Sequence, residues 1–588
     1  MRSTLRVVSL VSVAVCGCGD NNELAGDDDG SGSSTPTFTI GGTITGLTGD
    51  GLVLANNGGD DLTVDANASS FTFATKVKSG AGYSVTVQTQ PTGELCTVSS
   101  GTGAATADVT SIAIACIVQQ SHVAEWTWEG GSDVATNFGL PGVYGTQGTA
   151  DAANIPGGRE QSASWRDNAG NLWLFGGFGV DSAGNSGQLD DLWKYDPTAG
   201  EWTWVSGVTT VTASNSGGAA GVPGVYGTKG TASATNVPGG REQLATWVDA
   251  QGTLWMFGGE GIDVNGVTGE LNDLWKFAAG QWTWMGGDNS VGGGFVFGGS
   301  SGVYGTKGTA APTNVPGGRY GAVTWQDTDG NFWLFGGSGI DSQTFMGHLD
   351  YLNDLWKYSP STNQWTWVAG PDSVPMGGGA AGVYGTKGTA SATNYPGGRD
   401  AAMSWVDASG NIWMFGGIGV DSTGGSASFL NDLWKYEPAT GMWTWVSGPD
   451  VANDFGTYGT LGTADAANVP SSRYSAATWI DSTGNLWLLG GQGFDSAGNF
   501  VVMNDLWKFD PSTSEWTWTS GSNVGGNNGG QAGVYGTLGT SSATNTPGSR
   551  YGIPTWTDAS GKLWLFGGMG YDSTGGMGYL NDLWNYQP

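Results

Sequence analysis

The alternation of apolar and polar residues predicts β-strands along almost the whole chain. Between residues 37 and 118 the alternation comes in short runs such as TFTIGGTI, FTFAT and YSVTVQTQ, and turn-forming stretches such as NNGGDD separate them. A period of two places one face of a strand on a core and the other in solvent. We therefore expect an antiparallel domain of about 80 residues, consistent with a small Ig-like β-sandwich.

A longer pattern begins at residue 122 and recurs six times. Each copy has an arginine, an apolar run ending in Trp, a turn such as DASGN, and LWLFGG or a variant. A GxD loop, LNDLWKY or a variant and, in five copies, WTW follow. We number the copies repeats 1 to 6 by their arginines, which stand at Arg159, Arg241, Arg319, Arg399, Arg473 and Arg550.

The repeats predict the architecture of residues 122–588. Each copy carries four strand signals, and successive arginines are 74 to 82 residues apart. Four-stranded units that repeat around an axis form a β-propeller, which buries the faces of neighbouring sheets against one another. We expect an all-β chain in which a six-bladed propeller follows the small sandwich.

The repeated unit resembles the kelch repeat. The resemblance lies in the Gly pair that ends the second strand and in the tryptophan that follows later, and it covers nearly all of 122–588. It implies a central fold like that of galactose oxidase, and closure of the ring by strands from both ends of the propeller. The linkers between units, which contain GVYGTKGTASATNVPGGR or a variant, are longer than in typical kelch repeats. The Gly pairs are Gly176–Gly177, Gly258–Gly259, Gly336–Gly337, Gly416–Gly417, Gly490–Gly491 and Gly567–Gly568.

The last copy of the pattern, YLNDLWNYQP at Tyr579–Pro588, has no WTW after it. A spare EWTW, residues 125–128, precedes the first copy. We expect the strand at 125–128 to pair into the last blade, because this closes the ring and covers sheet edges that would otherwise be open.

The first 36 residues predict export and attachment. Arg2 and Arg6 precede a short apolar run, VVSLVSVAV, which is typical of a signal peptide at 1–18 and too short to span a bilayer. The following VCGC resembles a bacterial lipobox with lipid on Cys18, and 19–36 has the acidic, small composition of a flexible tether. We expect a lipid-anchored protein of the bacterial outer membrane or cell surface; the alternative is an ordinary signal peptide and a secreted protein.

Composition narrows the partners and the chemistry. With 51 Asp+Glu against 20 Lys+Arg, the formal charge of −31 argues against nucleic acid and against a membrane contact other than the lipid. Cys96 and Cys116 are predicted to form a disulfide, as export permits. The 30 Trp occupy five positions per repeat, which favours packing over sugar stacking.

Two families of aspartate also recur in every repeat. With the arginines, the aspartates of NDLW or its variant are predicted to form a ring of structural ion pairs: Asp191, Asp273, Asp354, Asp432, Asp505 and Asp582. The aspartates after the Gly pairs have two open interpretations, a lock on the loops or a cation site for Ca²⁺, which favours such oxygen ligands. These are Asp181, Asp263, Asp341, Asp421, Asp495 and Asp572.

No catalytic set is visible in the sequence. A galactose oxidase-like copper site would need two His, two Tyr and a Cys, but residues 122–588 contain no Cys and the chain has only His122 and His348. DSTGNLW at 481–487 loosely resembles a sialidase turn, yet no single repeat shows a unique Tyr–Glu pair. We therefore predict no enzyme activity and no cofactor, Ca²⁺ excepted.

The predicted function is non-catalytic binding of a surface protein or polysaccharide by a monomer. Binding residues tend to lie on loops held by a rigid scaffold, and the linkers differ most at 208–223, 288–301, 371–381, 449–455 and 522–532, with an enlarged loop at 342–351. The alternatives are a structural envelope or spacer protein and a carbohydrate-active enzyme, either a glycosidase or a lyase.

Overall fold

The computed structural model describes residues 35–91, 94–118, 124–136, 138–212, 220–291, 298–343, 350–375, 378–526 and 528–588. Every regular element in these ranges is a β-strand, and none of the described residues belongs to a helix that could cross a membrane. The chain divides into two units, Met1–Ser121 and His122–Pro588, which we describe separately.

The first unit is built from two four-stranded sheets with a shared apolar core. The sheet orders are β5-β2-β10-β8 and β4-β3-β7-β9, and β1 pairs with β6. Ile44 and Ile114 of one sheet pack with Leu54 and Val85 of the other. The strands are β1 (Thr37–Phe38), β2 (Ile40–Thr45), β3 (Leu52–Asn56), β4 (Asp60–Val64), β5 (Ser70–Thr72), β6 (Val77–Lys78), β7 (Gly82–Thr89), β8 (Glu94–Ser99), β9 (Thr102–Ala104) and β10 (Val109–Val118).

Two features of this unit bear on the sequence predictions. The disulfide between Cys96 and Cys116 is confirmed: the residues face each other on β8 and β10, with a Cα–Cα distance of 3.9 Å. The expectation of purely antiparallel pairing is wrong, because β2 and β10 run parallel. The chain leaves the first sheet after β2 and returns to it later, so a crossover replaces the hairpin that antiparallel neighbours would share.

In the second unit each repeat forms an antiparallel sheet. In chain order a short strand at the arginine precedes the longer strands, and in repeats 3 to 6 the short strand and the first longer strand both pair with the second. In repeats 1 and 2 the second and third longer strands are interrupted, and the short strand pairs in a separate three-stranded sheet. The strands of repeats 1 to 3, with the two strands before them, are β11 (Glu125–Gly130), β12 (Ala150–Asp151), β13 (Arg159–Glu160), β14 (Ala163–Arg166), β15 (Leu172–Phe175), β16 (Phe178–Val180), β17 (Ser186–Gln188), β18 (Leu192–Asp196), β19 (Glu201–Ser206), β20 (Arg241–Glu242), β21 (Ala245–Val248), β22 (Leu254–Phe257), β23 (Glu260–Ile262), β24 (Thr268–Glu270), β25 (Leu274–Ala278), β26 (Gln281–Gly286), β27 (Arg319–Tyr320), β28 (Val323–Gln326), β29 (Phe332–Gly339), β30 (Asp350–Ser359) and β31 (Gln364–Ala369).

Repeats 4 to 6 have continuous second and third strands. Their strands are β32 (Arg399–Asp400), β33 (Met403–Val406), β34 (Ile412–Gly419), β35 (Ser428–Glu437), β36 (Met442–Ser447), β37 (Arg473–Tyr474), β38 (Ala477–Ile480), β39 (Leu486–Phe494), β40 (Phe500–Asp510), β41 (Glu515–Ser520), β42 (Arg550–Tyr551), β43 (Thr555–Thr557), β44 (Leu563–Tyr571) and β45 (Met577–Gln587).

The sheets stand in a closed ring. The innermost strands β14, β21, β28, β33, β38 and β43 contact one another in this order, and β43 also contacts β14. A circle of six backbone hydrogen bonds, 2.7 to 3.0 Å long, runs around the same axis: Gln161 N–H donates to Gly552, Gly552 to Ser475, Ser475 to Ala401, Ala401 to Gly321, Gly321 to Gln243 and Gln243 to Gln161. The all-β architecture is compatible with a β-propeller.

The Gly pairs allow adjacent sheets to approach closely. Gly258 has φ +65°, and an added Cβ would lie 2.8 Å from the carbonyl oxygens of Arg319 and Leu271. Gly259 N–H donates to the Arg319 carbonyl oxygen at 2.9 Å. A side chain here would collide with the next repeat, which is a physical reason for glycine.

A strand from before repeat 1 completes the sheet of repeat 6. β11 pairs antiparallel with β45, with Trp126 opposite Tyr586 and Trp128 opposite Trp584. Trp126 packs at 4.7 Å from the Tyr586 ring and edge-on to Trp584 at 6.4 Å. It takes the place that Trp516 takes against Phe509 and Trp507 in repeat 5.

We expect Trp126→Ala and Trp516→Ala to lower the free energy of unfolding by similar amounts, about 3–5 kcal/mol each. Both side chains are buried, at 4% and 0% exposure, and both join the outermost strand to the rest of a sheet. Urea denaturation followed by circular dichroism measures the effect. A normal midpoint for Trp126→Ala beside a lowered one for Trp516→Ala would contradict a closing role for β11.

Candidate functional site

The arginine of every repeat is buried, and each of its three guanidinium nitrogens donates at least one hydrogen bond. In repeat 2 the Arg241 Nη1 and Nη2 atoms lie 2.6 and 2.9 Å from the two carboxylate oxygens of Asp273. Its Nε donates to the Gly239 carbonyl at 3.0 Å, and Nη1 also donates to the Gly258 carbonyl at 3.1 Å. The equivalent ion pairs are Arg159–Asp191, Arg319–Asp354, Arg399–Asp432, Arg473–Asp505 and Arg550–Asp582.

A tyrosine of the linker and a tryptophan of the third strand complete this node. The Tyr226 hydroxyl and the Trp275 Nε1 both donate to Asp273 Oδ2 at 2.7 Å. Burial, followed by the charge of Asp273, raises the pKa of Tyr226, so the hydroxyl stays a donor. The same tyrosines elsewhere are Tyr144, Tyr304, Tyr384, Tyr458 and Tyr535.

These nodes hold the scaffold and offer nothing to a ligand. Each guanidinium is at most 1% exposed, and its donors are directed to an aspartate and to backbone carbonyls. The arginines therefore do not form a ring of free cations for an anionic substrate.

The aspartates after the Gly pairs bind backbone amides. Asp263 Oδ1 accepts hydrogen bonds from the N–H groups of Asn265 and Val267 at 2.7 and 2.9 Å, and Oδ2 accepts one from Val291 of the next linker at 3.0 Å. The linker contacts elsewhere are Asp181 with Val211, Asp341 with Val374, Asp421 with Ala452, Asp495 with Gly525 and Asp572 with Ala135. Of the two interpretations of these residues, the contacts favour the loop lock.

The described residues contain one cluster of side chains close enough together to bind a metal ion. The one group of three closely placed His, Cys, Asp or Glu side chains there is Glu94, Cys96 and Cys116. Its two cysteines form the disulfide, so they are not thiolate ligands. Cys18 and both histidines lie outside the described residues.

The repeats differ in one layer around the axis, on the face where the linkers join the sheets. We call it the axial layer: the residue after each arginine and the two residues paired beside it on the second and third strands. Its members are Glu160, Phe178, Gln188, Glu242, Glu260, Glu270, Tyr320, Ser338, Tyr351, Asp400, Ile418, Phe429, Tyr474, Gln492, Val502, Tyr551, Met569 and Tyr579.

The axial layer adjoins the circle of six backbone hydrogen bonds. In each repeat the residue of the circle comes directly after the axial-layer residue that follows the arginine. The circle residues and the residues after them line an axial cavity of about 190 Å³, in which side chains such as Leu244, Ala402 and Ile553 are small or apolar. All six circle residues have positive φ, for example 55° at Gln161 and 49° at Ala401. This left-handed turn separates the axial layer from the strand that follows.

Acidic side chains from different repeats lie beside the glycines of the circle. A Cβ added to Gly552 would lie 3.0 Å from Glu160 Oε2, and one added to Gly321 would lie 3.1 Å from Asp400 Cβ and from Gln243 Oε1. The two circle glycines thus leave the space that these side chains use.

Several oxygens here lack hydrogen-bond partners. Among the described residues, these buried acceptors are Glu160 Oε2, Gln188 Oε1, Gln243 Oε1, Glu270 Oε2 and Asp400 Oδ1. Unpaired buried polar groups are costly, so each one requires an explanation such as water or a ligand. The amide of Gln188 is inside the cluster, because its Nε2 donates to Glu242 Oε1 at 3.4 Å and to the Glu260 carbonyl at 3.2 Å.

Burial makes these acids weak. It raises the pKa of Glu160 and of Glu242 to about 8, with the charges of Glu260 and Glu160 adding to the shift of Glu242. It raises the pKa of Glu270 and of Asp400 to about 7. Carboxyl groups of the axial layer therefore exchange protons near neutral pH.

The charge of Glu160 acts on tyrosines of other repeats. Burial first, and then the charge of Glu160, raises the pKa of Tyr474 and of Tyr579 to about 12, and the same two causes raise the pKa of Tyr551 further. This combination of Tyr and Glu is not visible within any one repeat, because its members come from repeats 1, 5 and 6. A signal is present in the sequence: the arginine is the same in all six copies, whereas the residue after it is Glu, Tyr or Asp.

Comparisons with known proteins give little guidance. No family model and no curated protein sequence matches the chain. A solved structure described as "Structure of YjhT" is similar at 14% identity and a TM-score of 0.41, over 74% of this chain and 99% of that chain. A likeness of this size carries no functional argument.

Arg241→Met should lower the free energy of unfolding by about 3–5 kcal/mol, because Asp273 stays buried without its cation. The double variant Arg241→Met/Asp273→Leu should recover only part of the loss, since Tyr226 and Trp275 then lack their acceptor, which costs about 1–3 kcal/mol per group. Urea denaturation of the purified variants measures both. A double variant as stable as the parent protein would show that the node adds no net stability.

The raised pKa of Glu270 predicts how stability depends on pH. Its folded-state pKa of about 7 lies above the ordinary 4.5, so its contribution is fully present below about pH 4.5 and is lost as the pH rises to about 7. We expect the melting temperature to fall less between pH 5 and pH 8 in Glu270→Gln than in the parent. Glu515→Gln, on the outermost strand β41, is the control and should keep the parental slope; equal slopes in all three proteins would contradict the prediction.

Proposed function

We propose that this protein is a non-catalytic binding protein of the bacterial cell envelope. In this proposal a six-bladed kelch-type propeller binds the ligand, an Ig-like sandwich acts as its stalk, and lipid on Cys18 anchors the exported chain. The ligand is a surface protein or a polysaccharide, and the binding unit is a monomer.

The observation that carries the proposal is the contrast between repeated and unrepeated polar residues. Repeated groups such as Arg241, Asp273 and Tyr226 satisfy one another and are buried. Unrepeated carboxyl groups collect in the axial layer, and the buried carboxylate oxygens without a partner in the described part of the second unit, on Glu160, Glu270 and Asp400, all lie there. A scaffold needs the same residues in each sheet, whereas a ligand without that symmetry needs different ones.

The linkers belong to the same surface. Gly298 accepts a hydrogen bond from Glu270 N–H, and Gly378 accepts one from Tyr351 N–H, both at 2.9 Å. The segments that vary in sequence therefore border the axial layer. Loops on a rigid scaffold are common binding elements.

One observation favours a carbohydrate-active enzyme as the second candidate. A carboxyl group with a pKa of about 8, as at Glu160, is protonated at neutral pH and is suited to general acid catalysis. The nearby Tyr474, Tyr551 and Tyr579 add hydroxyl groups. A glycosidase or a lyase would use such a set.

A glycan array and a pull-down of surface proteins with the purified protein test the proposal, each with calcium and with chelator. We expect a saturable ligand that Glu242→Gln weakens and that Glu515→Gln leaves unchanged. Replacing 449–455 by a Gly/Ser segment should also weaken binding, because Val451 and Phe455 are exposed there.

The other outcomes separate the alternatives. The absence of a saturable ligand in both assays would favour a structural envelope role, and cleavage of a bound glycan would favour an enzyme. Binding that requires calcium would return the aspartates after the Gly pairs to the role of cation ligands.

A further inference from the structure

The acidic side of the axial layer accepts hydrogen bonds but offers few donors. Asp400 is 5% exposed and Glu270 is 1% exposed, and each has a buried carboxylate oxygen without a partner. Gln188 Oε1 and Gln243 Oε1 are likewise free acceptors. Hydrogen-bond donors, preferably with positive charge, are the groups that would satisfy these oxygens.

Within the described part of the chain, no ion pair supplies that charge. The described ion pairs use the six repeated arginines and Lys435, and none of them includes an acid of the axial layer. With a formal charge of −31, the chain also attracts cations over a distance. Both observations point to a cationic ligand.

A single metal ion is a poor match for this surface. Among the described side chains, the acids of the axial layer do not form a group of three within reach of one ion. The unpaired oxygens instead come from several repeats around the axis, so a ligand must be large enough to contact several of them.

The part of the layer that repeats 4 to 6 contribute also carries aromatic side chains, and Asp400 and Phe429 both belong to repeat 4. Phe429 stacks on Tyr474 with ring centroids 5.8 Å apart and an interplanar angle of 16°, and it lies 5.0 Å from Phe500. Tyr474 in turn lies 6.1 Å from Tyr551. Phe500 and Phe455 are 49% and 45% exposed, so an aromatic path leads from an exposed rim to the tyrosines around Glu160.

We propose that the axial layer binds an amino sugar of a polysaccharide, with its ammonium and hydroxyl groups on the acidic side and a ring face on Phe429 and Phe500. A sugar ring carries donors around its edge and C–H groups on its faces, which matches an acceptor-rich wall beside an aromatic one. The rigid ring also loses little conformational freedom on binding. A lysine side chain has the charge but lacks the hydroxyl groups. This inference rests on the proposed binding function and names its ligand class.

The test compares three probes on the purified protein by isothermal titration calorimetry. They are a fully deacetylated glucosamine hexamer, the N-acetylglucosamine hexamer of the same length, and a lysine hexapeptide. N-acetylation removes the charge and keeps the ring, whereas the peptide keeps the charge and removes the ring. We expect saturable binding of the deacetylated hexamer and at least tenfold weaker binding of the other two.

Variants locate the site. Glu160→Gln and Asp400→Asn should each weaken the deacetylated hexamer about tenfold or more, because each removes a carboxyl group whose ionised form a bound ammonium group would stabilise. Phe500→Ala should weaken it about threefold to tenfold. Its side chain is half exposed, so this variant remains informative if a buried variant fails to fold. Two control variants should bind the hexamer as the parent protein does. They are Glu515→Gln, on the outermost strand β41, and Val406→Ala, at the end of the inner strand β33 that is farther from the axial layer.

Each other result overturns the inference and bears differently on the proposed function. Equal or preferred binding of the acetylated hexamer would exclude the ammonium requirement and leave a polysaccharide-binding protein. Preferred binding of the lysine hexapeptide would indicate a protein partner. Parental binding in Glu160→Gln, Asp400→Asn and Phe500→Ala would place the amino sugar elsewhere. If no probe binds, the amino-sugar assignment fails, and the array and pull-down decide the fate of the binding role.

Discussion

The buried ion pair between arginine and aspartate is the interaction on which the second unit depends. In repeat 2 it joins the start of the first strand at Arg241 to the start of the third at Asp273, and it also holds the end of the second strand through Gly258. The Tyr226 hydroxyl attaches the preceding linker to the same carboxylate. One node thus joins the first three strands of the repeat to the preceding linker.

A buried charge pair is stabilising only when its remaining donors and acceptors are also satisfied. This condition explains why Tyr226 and Trp275 both donate to Asp273, and why backbone carbonyls accept from Arg241. Because every repeat carries its own node, the six sheets meet the axis in equivalent ways. The circle of hydrogen bonds through Gln161 and Gly552 follows from that equivalence.

The pairing of every repeated arginine with an aspartate also affects the acids of the axial layer. The repeated arginines pair with their aspartates, and no ion pair among the described residues offsets the burial of the acids of the axial layer. Their pKa values rise for this reason, to about 7 at Asp400 and about 8 at Glu160. The paired arginines and aspartates therefore surround a small region in which buried carboxyl groups lack a paired cation. Acids with perturbed pKa values of this kind cluster at functional sites.

The sequence by itself determined the features that recur or that lie close along the chain. The strands, the repeats, the Gly pairs and the Cys96–Cys116 disulfide all follow from local periodicity or from few alternatives. Only the tertiary structure decided the parallel pairing of β2 with β10, the tyrosine hydroxyl at each ion pair, and the approach of Glu160 to Gly552 near the axis. These contacts join unlike residues from distant parts of the chain. No periodicity marks them, because the ring brings together the positions at which the repeats differ.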